Sequence, residues 1–170
     1  MTLASKINLS VSAALSSALD LVSPAARLSQ RYSTELDDGT AAGMADKVFS
    51  DTRTLTASST ENLDLAGSLV DALGATITFA RVKAIIIHAA AANTNNVLVG
   101  GDVTNTFFPM FGAETDSLII RPGATVALFA GEADAVGYAV TAATADLLKI
   151  TNSGAGTSVS YDVIIIGASA

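Results

Sequence analysis

The chain's only histidine, His88, ends its most apolar run, Ala84-Ile85-Ile86-Ile87. An imidazole is the usual base of a nucleophilic triad, yet no Ser, Cys or carboxylate lies beside His88 in sequence. It would have to serve alone as the whole base, and it reads better as a strand-end residue at an interface or in the core. The stretches Asp37-Asp38-Gly39 and Glu132-Ala133-Asp134 have the look of cation sites, but a calcium loop needs six or more oxygens in a defined arrangement. Neither has that acidic spacing, so each reads as an acidic turn. Gly154-x-Gly156 lacks the third Gly and the following helix that a phosphate cradle requires, and is expected to be a hairpin loop. The absence of Cys removes disulfides and thiolate metal sites. We therefore expect no enzyme, no cofactor, no metal and no small-molecule substrate.

Two outliers point to contact rather than catalysis. Phe107, Phe108 and Phe111, with Pro109 and Met110 between them, hold half of the six Phe. They are expected either to plug one end of the fold or to form a contact patch, since Phe and Met favour interface centres. Arg81 and Lys83 stand two residues apart in a chain with few bases. They are expected to lie on one strand face, paired with acids or with another subunit.

Composition narrows the class. Half of the residues are hydrophobic, but aromatics are only 5% and Trp is absent, so the core must be aliphatic. Charged residues are 15% against the ~25% of ordinary soluble chains, which fits a surface partly buried between subunits. Net charge is −7, and after Gly101 only Arg121 and Lys149 face seven acids, which argues against a nucleic-acid footprint. No apolar stretch reaches the ~18 residues of a spanning helix, and the first residues lack the order of a secretory signal. Neither membrane nor nucleic acid is an expected partner.

The elements that must position these residues read as short strands. From Asn62 the turn residues become regular. Leu63 and Leu65 point one way, and Thr76–His88 is a long β-branched strand whose alternation slips near Ala80, as at a bulge. Val97–Val99, Thr106–Phe111, Ser117–Ile120, Thr125–Ala130, Gly137–Thr141, Leu147–Thr151 and Val159–Ile166 follow. Arg121-Pro122-Gly123 fits a type II turn. Eight or nine strands at roughly ten-residue spacing predict a sandwich or barrel, and the one Ala-rich candidate helix, 133–145, is spoiled by Gly137 and its β-branched residues. We predict an all-β, jelly-roll-like antiparallel sandwich over residues 61–170.

Residues 1–60 differ. Lys6–Ser12 alternates, with Ile7, Leu9 and Val11 on one face, and a short strand is expected over 47–55. This part is too polar for a core of its own and too apolar for plain disorder. We expect an extended arm that binds a partner through residues such as Ile7, Leu9 and Val11, and a sandwich that still folds when residues 1–50 are deleted.

The later part, from Leu63 to Gly167, resembles the jelly-roll capsid decoration (cement) proteins of tailed bacteriophages. The residues carrying the resemblance are the Val82–His88 strand, Val97-Leu98-Val99-Gly100-Gly101, the Arg121-Pro122-Gly123 turn, Gly137-Tyr138, and the closing strands Asp146–Asn152 and Ser160–Gly167. The resemblance implies a structural virion protein on the capsid exterior, made in the bacterial cytoplasm. It also implies a homotrimer that contacts the major capsid protein and needs no cofactor. The alternatives are a tail, baseplate or fibre component, and a carbohydrate-binding or adhesion sandwich, the latter weakened by the lack of Trp.

Overall fold

A computed structural model describes residues 2–102 and 104–170; Met1, at the start of the expected arm, lies outside them, as does Val103. The described residues form twelve strands and no helix: β1 (Ser5–Ser16), β2 (Ala25–Asp38), β3 (Met44–Ala45), β4 (Lys47–Leu55), β5 (Thr60–Asp64), β6 (Arg81–Ala89), β7 (Val97–Gly100), β8 (Ser117–Ile120), β9 (Thr125–Phe129), β10 (Tyr138–Ala139), β11 (Leu147–Asn152) and β12 (Val159–Ala168).

Two sheets make the body. One runs β4-β12-β6, with β9 and the short β10 sharing the far edge of β6; the other runs β5-β11-β7-β8. The antiparallel pairs are nested. β7 pairs with β8, β6 with β9, β5 with β11 and β4 with β12, while β12–β6 and β11–β7 stitch the nest together. A long hairpin folded over itself in this way, its pairs alternating between two sheets, is the jelly-roll arrangement.

The residues explain the layers. On β12, Val159, Tyr161, Val163 and Ile165 are buried at period two, and on β11 Leu148 and Ile150 are buried between outward Leu147, Lys149 and Thr151. These side chains meet Leu63 and Leu65 from the β5 segment, Ile85 and Ile87 of β6, Val97 and Val99 of β7, and Phe79 in one aliphatic core. The turn at Arg121–Ala124 closes as expected: the Ala124 N–H donates to the Arg121 carbonyl at 2.9 Å, and Gly123 takes φ +75°. A β-bulge falls at Lys83, where Ile166 and Gly167 face Ala84 and Val82.

Three expectations are corrected. Residues 47–55 and 60–64 are strands of the two sheets, so the sandwich starts at Lys47 and not at residue 61. The hydrophobic alternation of β4 matches that of β12: Phe49 pairs with Ile165 and is buried, so deleting residues 1–50 would cut into the core. Thr106–Phe111 is not a strand. Thr106 makes a single bridge to Leu147, and beyond it Pro109 and the Phe111 N–H to Phe108 carbonyl bond (2.7 Å) turn the chain. The expected long strand begins at Arg81, and Thr76 forms only a bridge with Val70.

Candidate interaction surface

The first two strands form a ribbon of their own. β1 and β2 pair from Ser5–Leu36 to Ser16–Ala25 without a slip. In an antiparallel pair, residues directly opposite each other share a face. One face therefore carries Ile7, Leu9, Val11, Ala13 and Leu15 with Ala26, Leu28, Gln30, Tyr32 and Thr34; the other carries Lys6, Asn8, Ser10 and Ser12 with Arg27, Ser29, Arg31, Ser33 and Glu35. Period-two alternation in both strands thus makes one face apolar and one face polar.

The polar face is cross-linked. Lys6 pairs with Glu35, and that ammonium, by hydrogen bond and charge, holds the Glu35 carboxyl below the usual carboxylate range. The Asn8 side-chain oxygen accepts from Arg31 Nη2 at 2.6 Å and from Ser33 Oγ at 3.1 Å. At the tip, Ser17 N–H donates to Pro24 O and Leu19 N–H to Val22 O, at 3.2 and 3.0 Å.

The apolar face is covered only at its root. There Ile7 and Leu36 pack with Ala45 on Ala84 and Ile166 of the body, with Leu3 and Phe129 alongside. Beyond the root it is open: Leu28 is 56%, Tyr32 53% and Leu15 77% exposed, and Leu21 at the tip 96%. Leu9 and Val11 are exposed as well. Of the residues expected to meet a partner, Ile7 is therefore spent on its own body, whereas Leu9 and Val11 stand free on the ribbon.

Arg81 and Lys83 reach one loop, not an acidic face. Lys83 Nζ donates to the Asp134 carbonyl at 2.6 Å and Arg81 Nη1 to the Ala135 carbonyl at 2.7 Å. Lys83 is 1% exposed, and burial pulls its pKa down. The same loop is tied off by Asp134, whose carboxylate accepts the Val136 and Gly137 N–H groups and is thereby held low. Glu132, in this loop, accepts the Glu35 N–H at 3.1 Å, so the loop joins β6 to the ribbon root. Lys83 is the extra residue of the bulge, and buried there it offers no surface to a partner.

The three Phe divide. Phe107 is 0% exposed and belongs to the core; a contact role for it is corrected. Phe111 packs partly on the same core, against Gly100, and Phe108 is half-buried. His88 Nδ1 lies 2.8 Å from Thr125 Oγ1 on the outer face of the β6 sheet. Among the described residues no group of three or more His, Cys, Asp or Glu is placed to hold a metal. A groove of about 630 Å³ opens beside the ribbon root, lined by Leu3, Val48, Leu73 and Ile77. Its carboxylates cap backbone: Asp38 accepts Leu3 N–H, Asp46 accepts Ser169 N–H, and Asp71 accepts Leu73 and Ala75 N–H.

Sequence reasoning missed Leu15, Leu28, Tyr32 and the tip. The signal existed in Ala26, Leu28, Tyr32 and Leu36, spaced on one face of β2, but Gln30 and Thr34 interrupt it. Charged Arg27, Arg31 and Glu35 on the other face made the segment read as polar. No family model, curated protein or solved structure matches this chain.

Proposed function

We propose that the protein is a structural subunit of a larger particle, a capsid decoration (cement) or minor head protein of a bacteriophage. Its ribbon is the element that engages neighbours. The observation that carries this reading is the ribbon's open apolar face, Leu9, Val11, Leu15, Leu28 and Tyr32. An isolated two-stranded hairpin is marginally stable in water, and contiguous exposed apolar surface marks a site of association. A ribbon this long, apolar along one side and uncovered by its own body, fits a chain whose function is to be covered by another. The jelly-roll body supports the reading as a rigid platform, and the resemblance of its strands to capsid decoration proteins supplies the particle.

Gold-labelled antibody on purified virions tests it. Label on the heads is the expected result. Label confined to tails moves the protein to the tail or baseplate, and virions free of the protein overturn the reading.

A further inference from the structure

We infer that the apolar face of the ribbon docks on a second copy of this chain, against the outer face of that copy's β4-β12-β6-β9 sheet. This rests on the reading of the protein as an assembly subunit and names the partner and the surface.

The docking mode already exists within one chain. Val48, Ile166, Ala84 and Phe129 form one row across the outer sheet face, and Ile7 and Leu36 of the ribbon root sit on it. The next row, Ser50, Ile164, Ile86 and Ala127, is equally apolar at its centre and is left open: Ile164 is 37% exposed and Ile86 half-buried. Past Ile7 the ribbon repeats the same chemistry with Leu9, Val11, Leu28 and Tyr32, and leaves its own body uncovered there. The chain thus carries two open halves of an interface whose closed form it displays at the ribbon root. At about 3.3 Å per residue, the stretch from Leu9 to Leu19 reaches roughly 30 Å, about the span of the nine-residue β6. That is enough to cross a neighbour's sheet.

Charge selects the same partner. At the root Lys6 is neutralised by Glu35; beyond it, from Asn8 to Ser33, the ribbon holds Arg27 and Arg31 against Asp20, whereas the rest of the chain holds seven bases and fifteen acids. Bodies repel bodies, and the arm is the one part attracted to them. A lipid surface fits less well, because Asp20 sits at the tip between Leu19 and Leu21.

The test uses the full chain, which has no native Cys to interfere. Analytical ultracentrifugation of the wild type should show an oligomer. The combined change Leu9→Ser, Val11→Ser, Leu28→Ser should raise its dissociation constant by roughly tenfold or more with the far-UV spectrum unchanged. Leu28→Cys mixed with Ile164→Cys and joined by a short bismaleimide should give the mixed dimer in excess of either homodimer. A monomeric wild type overturns the proposal, as does an oligomer indifferent to the triple change or cross-linking of Leu28→Cys only to itself. Flotation of monomeric wild type with phosphatidylcholine vesicles overturns it in favour of a lipid surface. A monomer that still decorates virions loses the second copy and keeps the assembly role. An oligomer that cross-links as expected but is absent from virions does the reverse.

Discussion

The Glu35 backbone N–H donates to the Glu132 side chain across 3.1 Å, and Glu132 sits in the loop whose Asp134 carbonyl is held by buried Lys83. The root of the ribbon is therefore braced by the loop that Lys83 of β6 holds. Two chain elements with no sequence pattern in common, a bulged strand and an acidic loop, set where the arm leaves the body.

Lys83 gives this brace a pH signature. Its pKa is lowered from 10.5, chiefly by burial, so between the lowered value and 10.5 the unfolded chain binds more protons than the folded one. Stability must then rise with pH across that window as the burial penalty on the ammonium is relieved. Denaturant titrations of wild type and Lys83→Met from neutral pH to pH 10.5 should show the rise in the wild type only. Parallel curves for the two proteins contradict the buried position.

The distal ribbon should be dispensable for folding. Residues 9–32 touch the body nowhere in the packed clusters, so replacing them with a two-residue turn between Asn8 and Ser33 should leave the melting temperature within about 4 °C. Removing residues 1–50 should instead unfold the protein, since it strips Phe49 from the core and Ile7, Leu36 and Ala45 from Ala84 and Ile166. Thermal melts by circular dichroism separate the two.

Gly167 lies where β12 passes the start of β6. A Cβ there would stand 2.3 Å from the Arg81 carbonyl oxygen and 2.7 Å from the Phe79 ring. Neither can retreat, because Phe79 is core and the Arg81 backbone is paired on both sides, with Ala168 and Ala139. Gly167→Ala should lower stability by about 1–3 kcal/mol through overpacking, read as the shift of a urea midpoint. A neutral result means the sheet slips to make room.

The body was legible because its physics is local. β4 and β8, and most of β9, β11 and β12, follow from alternation closed by turn residues, and the Arg121–Gly123 turn needs only Pro and Gly in order. Two kinds of feature were hidden. The Phe107 segment is apolar like a strand, yet Pro109 and tertiary packing keep it out of a ladder. The ribbon lacks a core to mark it, so the partnership of β1 with β2 is visible only once the register brings Leu9 beside Tyr32. Buried Lys83 was illegible for a related reason: it is the extra residue of the bulge, with Val82 taking the next core-facing place on β6, and its partner is a backbone carbonyl that no side-chain pattern announces.

Tyr161 ties the two sheets at the β4 edge. Its hydroxyl donates to Glu61 Oε1 at 2.6 Å, and Glu61 Oε2 accepts from Arg53 Nη1 at 2.8 Å, with the Arg53 guanidinium 5.7 Å over the Phe49 ring. Burial first, then the hydrogen bond and charge of Glu61, push the phenol well above its usual 10.0. Below pH 10 Tyr161→Phe should cost about 1–2 kcal/mol for the lost bond. Above pH 10 the unfolded chain releases a proton that the folded chain retains, so the wild type loses up to about 1.4 kcal/mol per pH unit that the variant does not. The two stability curves should therefore converge within about one to two pH units above 10. Comparing the two proteins cancels the contribution of Lys83, which both contain. Curves that stay a constant distance apart would mean that the hydroxyl titrates freely and that the Glu61 bond is not held in solution.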